Sequence, residues 1–141
     1  MMISFPQFPN STIDPFLATS PTTPLYNCIA WAYEDPTRWY WPNDMSFWPE
    51  NIQREESIDA FIQLFIERGY KVCTTGDLEA GYKKIAIYEK NGVPTHAARQ
   101  LNDGFWTSKL GMSLDVSHSI FGMRNGDYGD IAVFMKRQIV F

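Results

Sequence analysis

The chain has 141 residues, a formal net charge of −4, 45% hydrophobic residues and 20% charged residues. That length is typical of one domain with a buried core, and an acidic balance without a Lys/Arg cluster argues against nucleic acid or an anionic membrane as partner. No run approaches the roughly 18 apolar residues of a membrane span, and the start lacks a secretory pattern, so we expect a cytoplasmic protein.

Residues 1–24 contain five prolines separated by polar residues. Proline fixes its own backbone and disfavours helix in the residue before it, so this segment is predicted to be an extended arm. Phe5, Phe8, Phe16 and Leu17 are candidates for docking into surface grooves. A single domain is predicted from residue 25 to residue 141.

A short helix is predicted to begin at Cys28, because Asn27 before it is a favourable N-cap. Cys28 would then meet the unpaired N–H groups and the positive dipole end of the first turn, which lower the pKa of a thiol. The aromatic loop that follows is expected to form one wall of a cleft. Its candidate substrate-binding residues are Trp39, Trp41 and Trp48, together with Asn27.

An amphipathic helix is predicted over residues 57–69. Ser57 is its N-cap and Gly69 follows its last turn. Apolar residues recur in between at spacings of three and four, which is typical of a helix that packs on a core. The expected buried stripe is Ile58, Phe61, Ile62, Phe65 and Ile66.

Five strands are predicted after this helix, at 70–74, 84–90, 95–101, 105–110 and 128–141, with a short helix or loop at 114–121. Asn91-Gly92 and Asp103-Gly104 are turn signals that connect the middle three strands into a meander. The fold class is therefore predicted as α+β, with the Cys28 helix and the amphipathic helix on an antiparallel sheet of about four or five strands.

His96 is the expected proton acceptor for a Cys28 thiolate. A two-residue turn at Asn91-Gly92 pairs His96 with Ile87, on the same sheet face as Ile85 and Ala98. Helices pack on such an apolar face, so the Cys28 helix is expected to lie against His96. The alternative is a half-buried structural histidine bonded to a backbone carbonyl.

Three sequence blocks resemble an uncharacterised bacterial domain family related to the papain-like thiol hydrolases, including the NlpC-type peptidases. The blocks are NCIAWA from position 27, THAAR from position 95 and WTSKLG from position 106. The resemblance implies a papain-like fold, with Cys28 as nucleophile and His96 as general base. It covers most of the chain after Tyr26.

The residue that would orient His96 is less defined, because no Asn, Asp or Gln lies at the expected place on the next strand. Ser108 shares the His96 face if the Asp103-Gly104 loop has three residues, whereas Lys109 or Thr107 does so if it has two. Asp115 and His118 are further candidates. Lys109 is also a candidate substrate-binding residue.

Two cysteines are too few for a disulfide framework, and Cys73 is predicted to be a buried strand residue. A redox pair of Cys28 and Cys73 remains open and requires Cα atoms within ~7 Å. Asp115 and His118 offer too few ligands for a convincing metal site, and no cofactor is expected.

Two functions follow from these residues. The first is a cysteine hydrolase of amide or thioester bonds (peptidase, amidase or deamidase), in which Cys28 attacks, His96 carries the proton and Ser108 or Asp115 orients His96. The second is an inactive binding, immunity or accessory module that uses the aromatic surface for a protein partner. The substrate and the oligomeric state are left open.

Overall fold

The structure is a computed structural model that describes residues 2–20, 22–110 and 114–139. Eight strands form one antiparallel sheet in the order β1-β2-β7-β6-β5-β4-β8-β3. The strands are β1 (Met2–Ile3), β2 (Phe16–Ser20), β3 (Lys71–Cys73), β4 (Tyr82–Lys90), β5 (Val93–Gln100), β6 (Trp106–Lys109), β7 (Asp115–His118) and β8 (Asp130–Gln138). The helices are α1 (Cys28–Ala32), α2 (Ile58–Glu67) and α3 (Ile120–Met123), with a 3-10 turn at Pro9–Thr12.

The fold class predicted from the sequence is wrong. The protein is a β-rich fold dominated by an eight-stranded sheet with few short helices, rather than a papain-like α+β fold with four or five strands. The additional strands are β1 and β2 in the proline-rich arm and β7 in the segment predicted as helix or loop. The two strands of the arm contain none of its prolines, so no proline removes an N–H from their ladders.

Both predicted helix starts are confirmed. The Asn27 side chain accepts a hydrogen bond from the N–H of Ala30, and Ser57 does the same for Ala60. Gly69 has a φ of +95° and follows α2, as a C-terminal glycine does. The buried face of α2 is rotated from the predicted stripe: Ala60 and Leu64 are buried with Phe61 and Phe65, whereas Ile66 is 45% exposed.

The β4–β5 hairpin contains a bulge that changes the predicted pairing of His96. Lys90 pairs with Val93 and Glu89 with Pro94, but the register then shifts and His96 pairs with Tyr88 instead of Ile87. A shift of one residue moves a side chain to the other face of a sheet. His96 therefore shares the face of Tyr88 and Ala98, and the predicted pairing was wrong.

The sheet has a hydrophobic cluster on each face. Helices α1 and α2 and the aromatic loop cover one face, and their cluster is Cys28, Ile29, Tyr40, Trp48, Phe61, Phe65, Ile85, Ile87 and Ala97 with smaller neighbours. The arm and α3 cover the other face, whose cluster includes Phe8, Phe16, Ala86, Tyr88, Ala98, Trp106, Val116 and Met123. The buried Phe8 and Phe16 are thus core residues rather than groove-docking ones, as is clear from their exposed fractions of 2% and 0%.

The sheet opens between β5 and β6. Among the described residues, the β5–β6 ladder consists of Arg99–Thr107 and Gln100–Trp106, the register that a three-residue loop predicts. β6 continues to Lys109 in its pairing with β7, whereas β5 runs back to Val93 in its pairing with β4. Helix α1 packs against both β5 and β6 and thus spans this opening.

Other predictions have mixed outcomes. The final strand is confirmed as β8, although residues 140 and 141 lie outside the described residues, as does Gly111 of the third sequence block. Cys73 lies in a strand as predicted, but it is partly exposed, and both cysteines are free thiols. Within the described ranges, no helix is long and apolar enough to cross a membrane.

Candidate functional site

Cys28 occupies the first position of α1 and lines a pocket of about 290 Å³. Two tryptophans from the aromatic loop and a tyrosine from the loop before β8 form its apolar walls. The lining residues are Asn27, Cys28, Trp39, Trp41, Asn43, Thr95 and Tyr128, and none of these seven is charged. Cys28 is 6% exposed, so the pocket is its route to solvent.

Burial dominates the ionisation of Cys28. It raises the pKa of the thiol from 9.0 to about 11, although the backbone N–H groups of Ala97, Ile29 and Cys28 and the charge of Lys109 favour the thiolate. The lowered pKa predicted from the sequence is therefore wrong, because desolvation of a buried anion outweighs the N–H groups of a five-residue helix. Cys28 is a neutral thiol at pH 7.

His96 is fully buried on the opposite sheet face from α1. Its ring stacks on Tyr128 with centroids 4.0 Å apart and planes 4° from parallel, and the edge of Tyr88 meets it at 5.3 Å. Burial, and then the charge of His118, lower the pKa of His96 well below its usual value of 6.5. Like Cys28, His96 is neutral at pH 7.

A chain of hydrogen bonds runs from His96 across the opening of the sheet. His96 Nε2 is 2.9 Å from Ser108 Oγ, and Ser108 Oγ is 2.7 Å from His118 Nε2. His118 Nδ1 is 2.7 Å from the carbonyl oxygen of Ser119. His96 Nδ1 is buried and has no hydrogen-bond partner in the described part of the chain.

Cys28 and His96 lie near the same part of β5, on opposite faces of the sheet. Ala97, whose N–H favours the Cys28 thiolate, is the residue after His96. Meanwhile His96 reaches across the opening to Ser108 on β6. No hydrogen bond between Cys28 and His96 is found among the described residues, and the two side chains lie on opposite faces of the sheet.

Three of the four predicted residues of the aromatic wall line the pocket, and the fourth lies in the core. Trp39 and Trp41 line the pocket, and so does Asn27, whose side chain makes three hydrogen bonds to the backbone of Ala30 and Tyr40. Trp48 is 1% exposed, lies in the core and donates to the carbonyl of Gln53, so it is not a pocket wall. The aromatic loop folds back on α2, which draws Trp48 inward against Phe61.

Lys109 and Asp115 lie in a neighbouring buried cluster around Tyr26. Lys109 Nζ donates to the carbonyl of Thr23 at 2.9 Å and lies 5.4 Å from the centre of the Tyr26 ring. The Tyr26 hydroxyl donates to Asp115 Oδ2 at 2.9 Å. Asp115 therefore holds Tyr26, and the hydrogen-bond partner of His96 is Ser108.

Sequence reasoning missed Tyr128, Asn43 and Thr95 as pocket residues. Tyr128 follows the turn at residues 125–127, which the sequence shows only as a turn, and its packing on His96 depends on long-range topology. His118, predicted with Asp115 as a candidate to orient His96, contacts Ser108 and not His96 itself. In the described ranges, no group of three or more His, Cys, Asp or Glu residues is arranged to hold a metal ion.

A family model described as Domain of unknown function (DUF7689) matches residues 17–136. The match begins in β2 and ends in β8, so it includes every residue of the pocket. No curated protein and no solved structure matches the chain.

Proposed function

The chain belongs to the DUF7689 domain family, and we propose that it is a cysteine hydrolase of amide or thioester bonds. Cys28 is the nucleophile, His96 the general base and Ser108 the residue that orients His96. The observation that carries the proposal is the buried Nδ1 of His96, which has no hydrogen-bond partner among the described residues. Tyr128 stacks on the His96 ring and lines the Cys28 pocket, and Ala97, the next residue, directs its N–H at the Cys28 sulfur. A bare lone pair in that position is the acceptor that a thiol nucleophile needs.

The reaction begins from a neutral thiol and a neutral imidazole. When an acyl group enters the pocket, the Cys28 sulfur bonds to its carbonyl carbon as the S–H proton passes to His96 Nδ1. The carbon–nitrogen or carbon–sulfur bond then breaks, and His96 returns the proton to the leaving group. Water releases the acyl group by the same steps, with His96 again as base, and restores the thiol.

The mechanism requires that the sulfur and the imidazole, which lie on opposite faces of the sheet, come into contact when substrate binds. Catalytic hydrogen bonds are commonly longer in free enzymes than in complexes. Expulsion of water also strengthens the interaction of the developing oxyanion with the N–H groups that already face the sulfur. A neutral resting pair costs less in a buried site than an ion pair does.

The pocket indicates the class of substrate. Its walls are mainly aromatic and its lining has no charge, so it offers nothing to balance a charged group. The amide of Asn27 is occupied by Tyr40 and Ala30, and the hydroxyl of Thr95 donates to the carbonyl of Tyr128. We therefore assign it to an uncharged acyl group with an apolar or aromatic substituent, such as a peptide side chain of that kind.

Alkylation of the two cysteines tests the proposal within one molecule. N-benzyl iodoacetamide is a neutral aromatic probe, and peptide mass spectrometry distinguishes Cys28 from Cys73. We expect Cys28 to react faster than the more exposed Cys73 at pH 7, and His96→Gln to slow Cys28 at least about tenfold while Cys73 is unchanged. The charged probe iodoacetate should lose this preference for Cys28.

Acyl transfer itself is measured by incubation with 4-nitrophenyl acetate and an acid quench. The expected product is an acetyl group on Cys28 that is absent from Cys28→Ala. Circular dichroism of each variant establishes that it is folded. A Cys28 that reacts more slowly than Cys73, with no effect of His96→Gln, contradicts the enzyme proposal.

The second candidate is a binding module without turnover, and the raised pKa of the buried Cys28 thiol favours it. In that case the pocket holds an apolar side chain of a protein partner and Cys28 is only part of its floor. Alkylation of Cys28 would then follow a single ionisation at about pH 11. Binding of an apolar peptide would also survive Cys28→Ala, whereas Trp41→Ala would abolish it.

A further inference from the structure

We infer that His118 is a positioning residue, which acts through Ser108 to hold His96 in the tautomer whose Nδ1 is unprotonated. The inference rests on the proposed role of His96 as base, and it concerns a residue on the far side of the sheet from the pocket. His118 does not line the pocket that contains Cys28. Its influence passes along the hydrogen-bonded chain that crosses the opening of the sheet.

The direction of each hydrogen bond follows from the chain's fixed end. The carbonyl oxygen of Ser119 only accepts, so His118 Nδ1 carries a proton and donates to it. A neutral His118 then has a bare Nε2, which accepts the hydroxyl proton of Ser108 at 2.7 Å. That proton is the only one Ser108 Oγ has, so Oγ accepts from His96 Nε2 at 2.9 Å.

The consequence is that His96 carries its proton on Nε2 and presents the lone pair of Nδ1. The alternative donation of Ser108 to Met123 Sδ, at 3.5 Å, is longer and weaker and leaves the same tautomer of His96. Without an acceptor at position 118, the Ser108 hydroxyl has two acceptors left, and donation to His96 Nε2 at 2.9 Å is favoured over donation to the weak acceptor Met123 Sδ at 3.5 Å. The proton of His96 would then move to Nδ1 and remove the acceptor from the opening.

The structure holds His118 in place on every side. It is 1% exposed, Phe16 of the N-terminal arm packs 5.4 Å from its ring, and Asp14 bonds to the hydroxyl of Ser119. Burial lowers the pKa of His118 to about 4, although the Ser119 carbonyl and Asp14 raise it. His118 is therefore neutral over the pH range in which Cys28 would react.

Long-range proton–nitrogen NMR of ¹⁵N-labelled protein reads both tautomers directly. In the wild type we expect His96 protonated at Nε2 and His118 protonated at Nδ1. In His118→Gln the amide oxygen replaces the missing acceptor, so His96 should keep its tautomer. In His118→Leu it should change to the Nδ1-protonated form, and alkylation of Cys28 at pH 7 should fall at least about tenfold.

A wild-type His96 protonated at Nδ1 overturns the inference, and so does an unchanged tautomer in a folded His118→Leu. If His118→Leu does not fold, the wild type and His118→Gln still test the inference, because a changed His96 tautomer in His118→Gln also contradicts it. The NMR measurement needs no activity. The expected tautomers with an unreactive Cys28 would thus refute the enzyme proposal and leave the hydrogen-bonded chain intact.

Discussion

Asn27 joins the pocket helix to the aromatic loop through a single buried amide. Its Oδ1 accepts from the N–H groups of Ala30 and Tyr40, both at 3.1 Å, and its Nδ2 donates to the carbonyl of Tyr40 at 2.6 Å. The side chain that caps α1 therefore also fixes the start of the loop that carries Trp41. One residue thus holds two walls of the pocket together.

Asn27→Ala should lower the free energy of unfolding by about 2–4 kcal/mol, because it removes a cap and leaves backbone groups of buried Tyr40 unpaired. Ser57→Ala is the matched control, since Ser57 caps α2 with one hydrogen bond to Ala60 at 3.2 Å. It should cost about 1 kcal/mol. Urea unfolding of both variants measures the difference, and equal losses would show that the Tyr40 contacts contribute nothing.

The elements differ in how far the sequence determines them. Caps, apolar periodicity and the Asn91-Gly92 turn signal are local, and they placed α1, α2 and the β4–β5 turn correctly. The bulge at Thr95 has no such signal, because an extra residue in a ladder depends on what packs around it. That single residue decided which face His96 occupies. The sequence therefore indicated Cys28, His96 and Ser108 but not the geometry that relates them, nor the pocket residues Tyr128, Asn43 and Thr95.

The close approach of β4 to the loop that carries Tyr128 depends on a glycine. Gly129 has a φ of +78°, and a Cβ there would lie 1.9 Å from the carbonyl oxygen of Glu89. Gly92 has a nearly identical φ of +79°, yet a Cβ there would meet nothing within 4 Å. The two positions therefore separate the cost of backbone conformation from the cost of a clash between β4 and the loop that carries Tyr128.

Gly92→Ala should cost about 1–2 kcal/mol of unfolding free energy, the strain of a left-handed backbone. Gly129→Ala carries the same strain and also forces the loop away from β4, so its loss should exceed the common range of about 0.5–3 kcal/mol. Urea unfolding again measures both. Similar losses in the two variants would mean that the loop yields without cost and that the position of Tyr128 is not held by this contact.

At the scale of the whole molecule, the arm is part of the fold. β2 pairs with β7, and Phe16 packs on His118, so residues before the predicted domain boundary complete the sheet and bury the far end of the hydrogen-bonded chain. The sequence indicated an extended arm but not its pairing, because strand partners far apart in the chain leave no local pattern. The number of strands was underestimated for the same reason.

Two buried neutral histidines give the fold a characteristic dependence on pH. Burial lowers the pKa of His118 from 6.5 to about 4, and the pKa of His96 is also lowered well below 6.5. In the unfolded chain both bind protons below about pH 6.5, whereas the folded protein does not until a lower pH. The contribution of these two histidines to the free energy of unfolding is therefore fully present above about pH 6.5 and is lost as the pH falls towards 4.

The unfolding free energy should decrease between pH 7 and pH 4.5, with His118 alone contributing on the order of 3 kcal/mol across its full shift. His118→Gln, which does not titrate, should show a shallower decrease over the same interval. The carboxylates act in a separate window: burial raises the pKa of Asp35, but hydrogen bonds from Thr37 and Tyr40 bring it down to about 2, so its contribution is lost only at lower pH. Urea unfolding at a series of pH values gives the slope of the unfolding free energy against pH for the wild type and for His118→Gln.

If the two proteins have the same slope above pH 4.5, the fold does not hold His118 neutral and the hydrogen-bonded chain has a different protonation.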